Sequence, residues 1–130
     1  MSRVDAVVVS LPLTDATRGI VGAAALAAMR PHAVIVNVGR GPVIDEQALY
    51  DALAEGRIGG AIIDTWYTYP SAETPVTQPS RLPFHTLRNV VMTPHMSGWT
   101  DGTIRRRQQT IATNINALAR GEGLVNVVSP

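Results

Sequence analysis

Ala33-Val34-Ile35-Val36-Asn37-Val38-Gly39-Arg40-Gly41 decides how this chain is read. Four apolar residues run into an asparagine, then into two glycines that flank an arginine. Such a run reads as a strand buried on both faces, as in a parallel sheet. Two later stretches repeat the pattern: Ala61-Ile62-Ile63 runs into Asp64, and Val90-Val91-Met92 runs into Thr93-Pro94-His95-Met96-Ser97-Gly98. In an open parallel α/β sheet, ligands bind outside the carboxyl ends of the strands. Arg40, Asp64 and His95 are therefore expected along one edge of the sheet, sharing a cleft. A guanidinium, a carboxylate and an imidazole gathered there have the makings of an active site.

Between these runs the helical signals are regular. Ala6 to Leu11 is valine-rich and reads as another fully buried strand. Pro12 to Gly19 reads as a loop, and Gly22 to Met29 as an alanine-rich helix. Asp45 can cap a helix whose core face is Ala48, Leu49, Ala52 and Leu53, with Glu46 in the first turn and Gly56 at its end. The strand Gly60 to Asp64 follows. Thr65 to Asn89 then carries four prolines together with Trp66, Tyr67, Tyr69 and Phe84, so this long loop is expected to pack over something. After the strand Val90 to Thr93, Thr100 or Asp101 can cap a last helix. Its apolar stripe is Ile104, Ile111, Ile115 and Leu118, and Gly121 ends it. Strands alternating with helices predict an α/β fold with right-handed crossovers. The expectation is part of a doubly wound, Rossmann-type sheet of about four parallel strands.

Composition narrows the function classes. At 130 residues, 45% hydrophobic and 16% charged, the chain suits one globular domain. A net charge of +1 gives no general attraction to nucleic acid or to a membrane. The absence of cysteine excludes disulfides, thiolate nucleophiles and Cys-type zinc sites, and suits a reducing cytoplasm. No apolar stretch has transmembrane length, and no basic-then-apolar leader opens the chain. Neither a nucleic-acid partner nor a metal is expected. Arg105-Arg106-Arg107 reads as a solvated helix surface. His32 precedes its strand, so it belongs at the opposite edge of the sheet from His95, and His85 lies in the proline-rich loop.

The strand-end motifs also resemble a known family. Asn37-Val38-Gly39-Arg40-Gly41-Pro42-Val43-Ile44-Asp45-Glu46 and Thr93-Pro94-His95-Met96-Ser97-Gly98-Trp99-Thr100 are similar to those of the D-isomer-specific 2-hydroxyacid dehydrogenases. Ser10-Leu11-Pro12-Leu13-Thr14-Asp15-Ala16-Thr17-Arg18-Gly19, Arg120-Gly121-Glu122 and Asn126-Val127-Val128 fit the same family. The resemblance covers nearly the whole chain. It implies the second half of a nucleotide-binding domain, with residues 1–130 forming one partial domain that takes NAD or NADP.

The same resemblance implies hydride transfer between the nicotinamide cofactor and a 2-oxo or 2-hydroxy acid. Arg40 would orient the substrate carboxylate, His95 would be the acid/base group, and Asp64 would accept from the nicotinamide carboxamide. Pro12, Thr17, Val38, Gly39, Ser97 and Gly98 would complete the cofactor surface, together with Arg40 and His95. The family's histidine usually pairs with a glutamate just before a proline. That place holds Tyr69, before Pro70, with Glu73 and Asp101 nearby as substitutes. A tyrosine can hydrogen-bond but cannot stabilise an imidazolium by charge.

No Gly-x-Gly-x-x-Gly turn occurs, nor the acidic residue that reads the ribose hydroxyls. The isolated chain is therefore expected to be inactive, and to need a complementing chain or to form a homo-oligomer through the exposed edge of its first strand. The alternative is a non-catalytic binding or assembly module that keeps the fold.

Overall fold

The computed structural model describes residues 1–128. It divides into two compact units, one ending at Met96 and one beginning at Ser97.

The first unit holds four parallel strands: β1 (Ala6–Val9), β2 (Val34–Asn37), β3 (Gly60–Ile63) and β4 (Val90–Met92). They lie side by side in chain order, β1-β2-β3-β4. Helices α1 (Ala23–Ala27) and α2 (Glu46–Ala54) supply two of the crossovers. Helix α1 is shorter than the alanine run suggested. Ala28 already caps it, and the following Arg30-Pro31 pair is disfavoured in a helix. Helix α2 begins where its signals placed it, with the Asp45 carboxylate accepting the Ala48 amide at 2.8 Å. Just beyond its C-cap, Gly56 takes a positive φ of 66°.

Register sorts the strand residues onto two faces. Ile35, Ala61 and Ile63 are buried on one face, where they join Leu26 of α1 and Leu49, Ala52 and Leu53 of α2 in a single core, and Asn37 is buried on the same face. Each fully buried Leu or Ile contributes roughly 1.5–3 kcal/mol of transfer free energy. On the other face, Val8, Val36, Ile62 and Val91 are paired in one row across all four strands. Val8 is 64% exposed, Ile62 38% and Val91 55%. The expectation that the first strand is fully buried is therefore corrected: of β1, only Val9 is buried. A valine run satisfies one buried face as readily as two.

The segment between β3 and β4 does pack, as its aromatics suggested. Trp66 and Phe84 are buried, and Phe84 meets Tyr50 edge-on and stacks with Tyr67. Glu46, in the first turn of α2, ties the segment down. It accepts the Ser80 hydroxyl at 2.7 Å, and the Arg81 guanidinium at 3.0 and 2.8 Å.

In the second unit, α3 (Asp101–Ala119) starts with the Thr100 hydroxyl accepting the Thr103 amide at 3.1 Å. Gly121, at φ 69°, follows its end. Ile111, Ile115 and Leu118 of the apolar stripe are exposed, as are Arg105, Arg106 and Arg107. Asn114 exchanges two hydrogen bonds with the Val125 backbone.

Candidate functional site

The ladder of hydrogen bonds continues past the carboxyl ends of the strands. Val38 and Gly39 amides donate to the Val9 carbonyl, Asp64 to Asn37, and Thr93 to Ile63. The residues that follow the strands are thereby fixed side by side: Ser10 to Leu13 after β1, Arg40 after β2, Asp64 after β3 and His95 after β4. His32 is at the other edge, where its Nε2 lies 2.8 Å from Asp5 Oδ1. Hydrogen bonds from His32 and Arg30 hold the Asp5 carboxyl below its ordinary range.

Arg40 is presented by a turn with no space for side chains. A Cβ on Gly39 would stand 2.6 Å from the Leu11 carbonyl oxygen, and one on Gly41 2.3 Å from that of Trp66. Both are well inside van der Waals contact, so each glycine lets two backbones approach. Buried Asn37 completes the turn. Its Oδ1 accepts the Gly39 amide at 3.1 Å, and its Nδ2 donates to the Arg40 carbonyl at 3.0 Å. The exposed guanidinium donates back to the Gly39 carbonyl at 2.7 Å. In the sequence Asn37 stood out only as the polar end of a strand. The usable signal was a polar residue at a position whose register is buried.

Ser10, Leu11, Pro12, Leu13, Val38, Gly39 and Arg40 line a cleft of about 420 Å³. That lies within the usual size range for a small-ligand site. Thr17 shapes its rim, because its hydroxyl donates to the Pro12 carbonyl at 2.7 Å while its Oγ1 accepts the Thr14 amide at 2.8 Å. Four of the residues that resemblance assigned to the cofactor thus share this cleft, with Thr17 behind them. Ser97 and Gly98 open the second unit.

Asp64 is buried and organises the β4 exit. Its Oδ1 accepts the Thr93 hydroxyl at 2.5 Å and the Met96 amide at 2.9 Å. The Trp66 indole donates to the Thr93 carbonyl at 2.9 Å. Between these anchors His95 adopts φ 57°, in the left-handed region that side chains other than glycine seldom occupy. Such positions cost on the order of 1 kcal/mol or more and cluster at functional sites. His95 is exposed, and its Nδ1 lies 3.0 Å from the Tyr69 phenol oxygen, which also accepts the Trp66 amide at 2.9 Å. Tyr69 itself occupies the partner position, and Glu73 instead accepts the Ser71 hydroxyl. Tyr69, Trp66, Pro70, Thr93 and Pro94 help line a second cleft of about 380 Å³.

A parallel α/β sheet whose strand ends carry an arginine, a buried carboxylate and a strained histidine defines a ligand-binding α/β domain. Residues 1–97 match the NAD-binding domain of the D-isomer specific 2-hydroxyacid dehydrogenases, and the chain belongs to that family. It is 38% identical over 127 residues to a D-3-phosphoglycerate dehydrogenase of Methanocaldococcus jannaschii, covering 98% of this chain and 23% of the relative. It is 37% identical over 124 residues to glyoxylate/hydroxypyruvate reductase A HPR2 of Arabidopsis thaliana, covering 95% and 37%. Among solved structures, a Lactobacillus jensenii D-lactate dehydrogenase with NAD+ superposes with a TM-score of 0.84 at 26% identity, covering 99% of this chain and 41% of that one. A Xanthobacter autotrophicus Py2 family member with NADPH and MES gives 0.74 at 36%, covering 99% and 50%. The chain thus spans half or less of the length of each of these relatives.

Proposed function

We propose that this chain is the nicotinamide-facing half of a D-2-hydroxyacid dehydrogenase site, acting on a small 2-oxo or 2-hydroxy acid with NAD or NADP. The observation that carries the reading is the parallel register, which sets Arg40, Asp64 and His95 at the same ends of three adjacent strands. The bound nicotinamide would supply or accept the hydride. Pro12, Thr17, Val38, Gly39, Ser97 and Gly98 would hold that end of the dinucleotide, and buried Asp64 would accept from its carboxamide. Arg40 would take the substrate carboxylate bidentately, which a planar guanidinium does and an ammonium does not. His95 would hydrogen-bond the oxygen that gains or loses a proton.

In this reading residues 1–130 are one partial domain, and the phosphate cradle and substrate domain come from elsewhere in the protein or from a complementing chain, while a second copy of the same residues would pair as a homo-oligomer without supplying them. The exposed β1 edge supports such pairing. The cysteine-free composition suits the cytoplasm. Calorimetric titration with NADH and NADPH, and an absorbance assay over a panel of 2-oxo acids, test this. The chain alone should bind weakly and show no turnover. Together with a polypeptide carrying the phosphate cradle and substrate domain it should turn over, and R40A and H95N should each lower kcat/KM by at least about a hundredfold. Tight binding by the chain alone, or R40A and H95N variants as active as the parent, would remove the proposal.

A further inference from the structure

The Tyr69 phenol stands between a fixed donor and a ring nitrogen. Its oxygen is 2.9 Å from the Trp66 backbone nitrogen, a group that can only donate. The same oxygen is 3.0 Å from His95 Nδ1, with the two ring centroids 5.6 Å apart and the planes tilted by 47°. A phenol donates strongly and accepts weakly, because a lone pair is delocalised into the ring. One accepting site is taken by Trp66, and accepting that N–H makes the hydroxyl a better donor still. The phenol proton is thereby directed at Nδ1. A neutral imidazole has one N–H, so when Nδ1 accepts, the proton is on Nε2.

We propose that Tyr69 is a positioning residue that fixes His95 as its Nε2–H tautomer by donating to Nδ1, so that the neutral ring presents a donor at the strand ends. A carboxylate at position 69 would impose the opposite polarity. It only accepts, so it would require the proton on Nδ1 and leave Nε2 bare in the neutral ring. The histidine's setting is firm enough for this choice to matter. Its neighbours are pinned by Asp64, which accepts from Thr93 and Met96, and by the Trp66 indole on the Thr93 carbonyl. The ring's orientation is then left to Tyr69.

The inference rests on the proposed placing of His95 over the substrate oxygen, and refines it. With Nε2–H outward, the neutral ring matches an oxygen that only accepts, as in a 2-oxo acid. A 2-hydroxy acid, whose hydroxyl must give up its proton, needs the other neutral tautomer first: the Nε2 proton is released to solvent, Nδ1 takes one up from solvent, and the Tyr69 hydroxyl turns to accept from it. The oxo form is therefore the better-matched ligand.

Long-range nitrogen–proton NMR of the labelled chain, in mildly alkaline buffer, reads the His95 tautomer directly. The parent should show a bare Nδ1 and a protonated Nε2. Y69F keeps the ring but loses the hydroxyl, and should give a mixture. Y69E should reverse the tautomer. Amide spectra of each variant report whether the sheet is retained. A parent ring protonated on Nδ1, or a folded Y69F or Y69E with the parent's nitrogen shifts, would overturn the inference. The two readings fail separately. An H95N variant that keeps full turnover in the complemented enzyme removes the catalytic role and leaves the tautomer untouched.

Discussion

Asp64 receives the Thr93 hydroxyl on the same oxygen, Oδ1, that takes the Met96 amide. One buried carboxylate at the end of β3 therefore shapes the turn that carries His95 at the end of β4. This capping role exists whether or not the other carboxylate oxygen also meets a cofactor.

Asp64→Ala should accordingly destabilise the fold as well as weaken binding. The Thr93 hydroxyl and the Met96 amide lose their acceptor, at a cost of about 2–4 kcal/mol. Asp64→Asn keeps an acceptor oxygen and should cost roughly 1 kcal/mol. Urea unfolding of the two variants checks the order. Equal losses would mean that the capping bonds contribute little.

Gly39→Ala and Gly41→Ala should each lose more than about 2 kcal/mol, because the new methyl group meets backbone that cannot yield without opening the sheet. Gly98→Ala, with open space around it, should be close to neutral. Denaturation midpoints measured side by side test the contrast.

Glu46 sets an acid limit. Burial pushes its carboxyl up, but hydrogen bonds from Ser80 and Arg81 outweigh that and hold it below the ordinary range. Its stabilisation is full above the ordinary carboxylate value and is lost as pH falls through the lower folded value. Glu46→Gln should therefore lower stability by about 1–2 kcal/mol at neutral pH. It should also flatten the acid side of the stability profile. Thermal melts from neutral pH downwards would show the two curves converging, and parallel curves would contradict the assignment.

Tyr67 gives the opposite case. Burial, reinforced by the negative charges of Glu46 and Asp45, pushes its phenol far up, so it stays neutral. Its buried hydroxyl has no hydrogen-bond partner among the described residues. Tyr67→Phe removes that hydroxyl and keeps the stacking on Phe84. It should leave stability unchanged or raise it by up to about 1 kcal/mol. A clear loss in denaturant would reveal a bond not evident from the fold.

The parts of the structure that were legible from sequence are those written in local chemistry. Strand ends showed as apolar runs meeting polar residues, and helix ends as Asp45, Thr100, Gly56 and Gly121. The single cleft expected for Arg40, Asp64 and His95 is corrected: of the three, Arg40 lines the cleft beside β1 and β2, and neither Asp64 nor His95 does. That all three leave the same ends of adjacent strands followed from strand direction alone. The exposure of Val8 did not, because nothing local distinguishes a strand covered on one face from one covered on both. The role of Asn37 was hidden in a strand terminus. That Tyr69 meets His95 and Trp66 required the conformation of a segment with no periodicity. Substitution at the glutamate position raised the question of a partner, and only the fold placed the phenol between two nitrogens.

The row of Val8, Val36, Ile62 and Val91 has a practical consequence at the bench. A native sheet with an apolar face turned to water offers a surface to environment-sensitive dyes such as ANS. The folded chain should therefore fluoresce with dye before any heating. Brightness in such an assay would then report a correctly formed sheet rather than a collapsed one. Melting should be followed instead by near-ultraviolet circular dichroism of Trp66 and its aromatic neighbours, whose packing belongs to the native state alone.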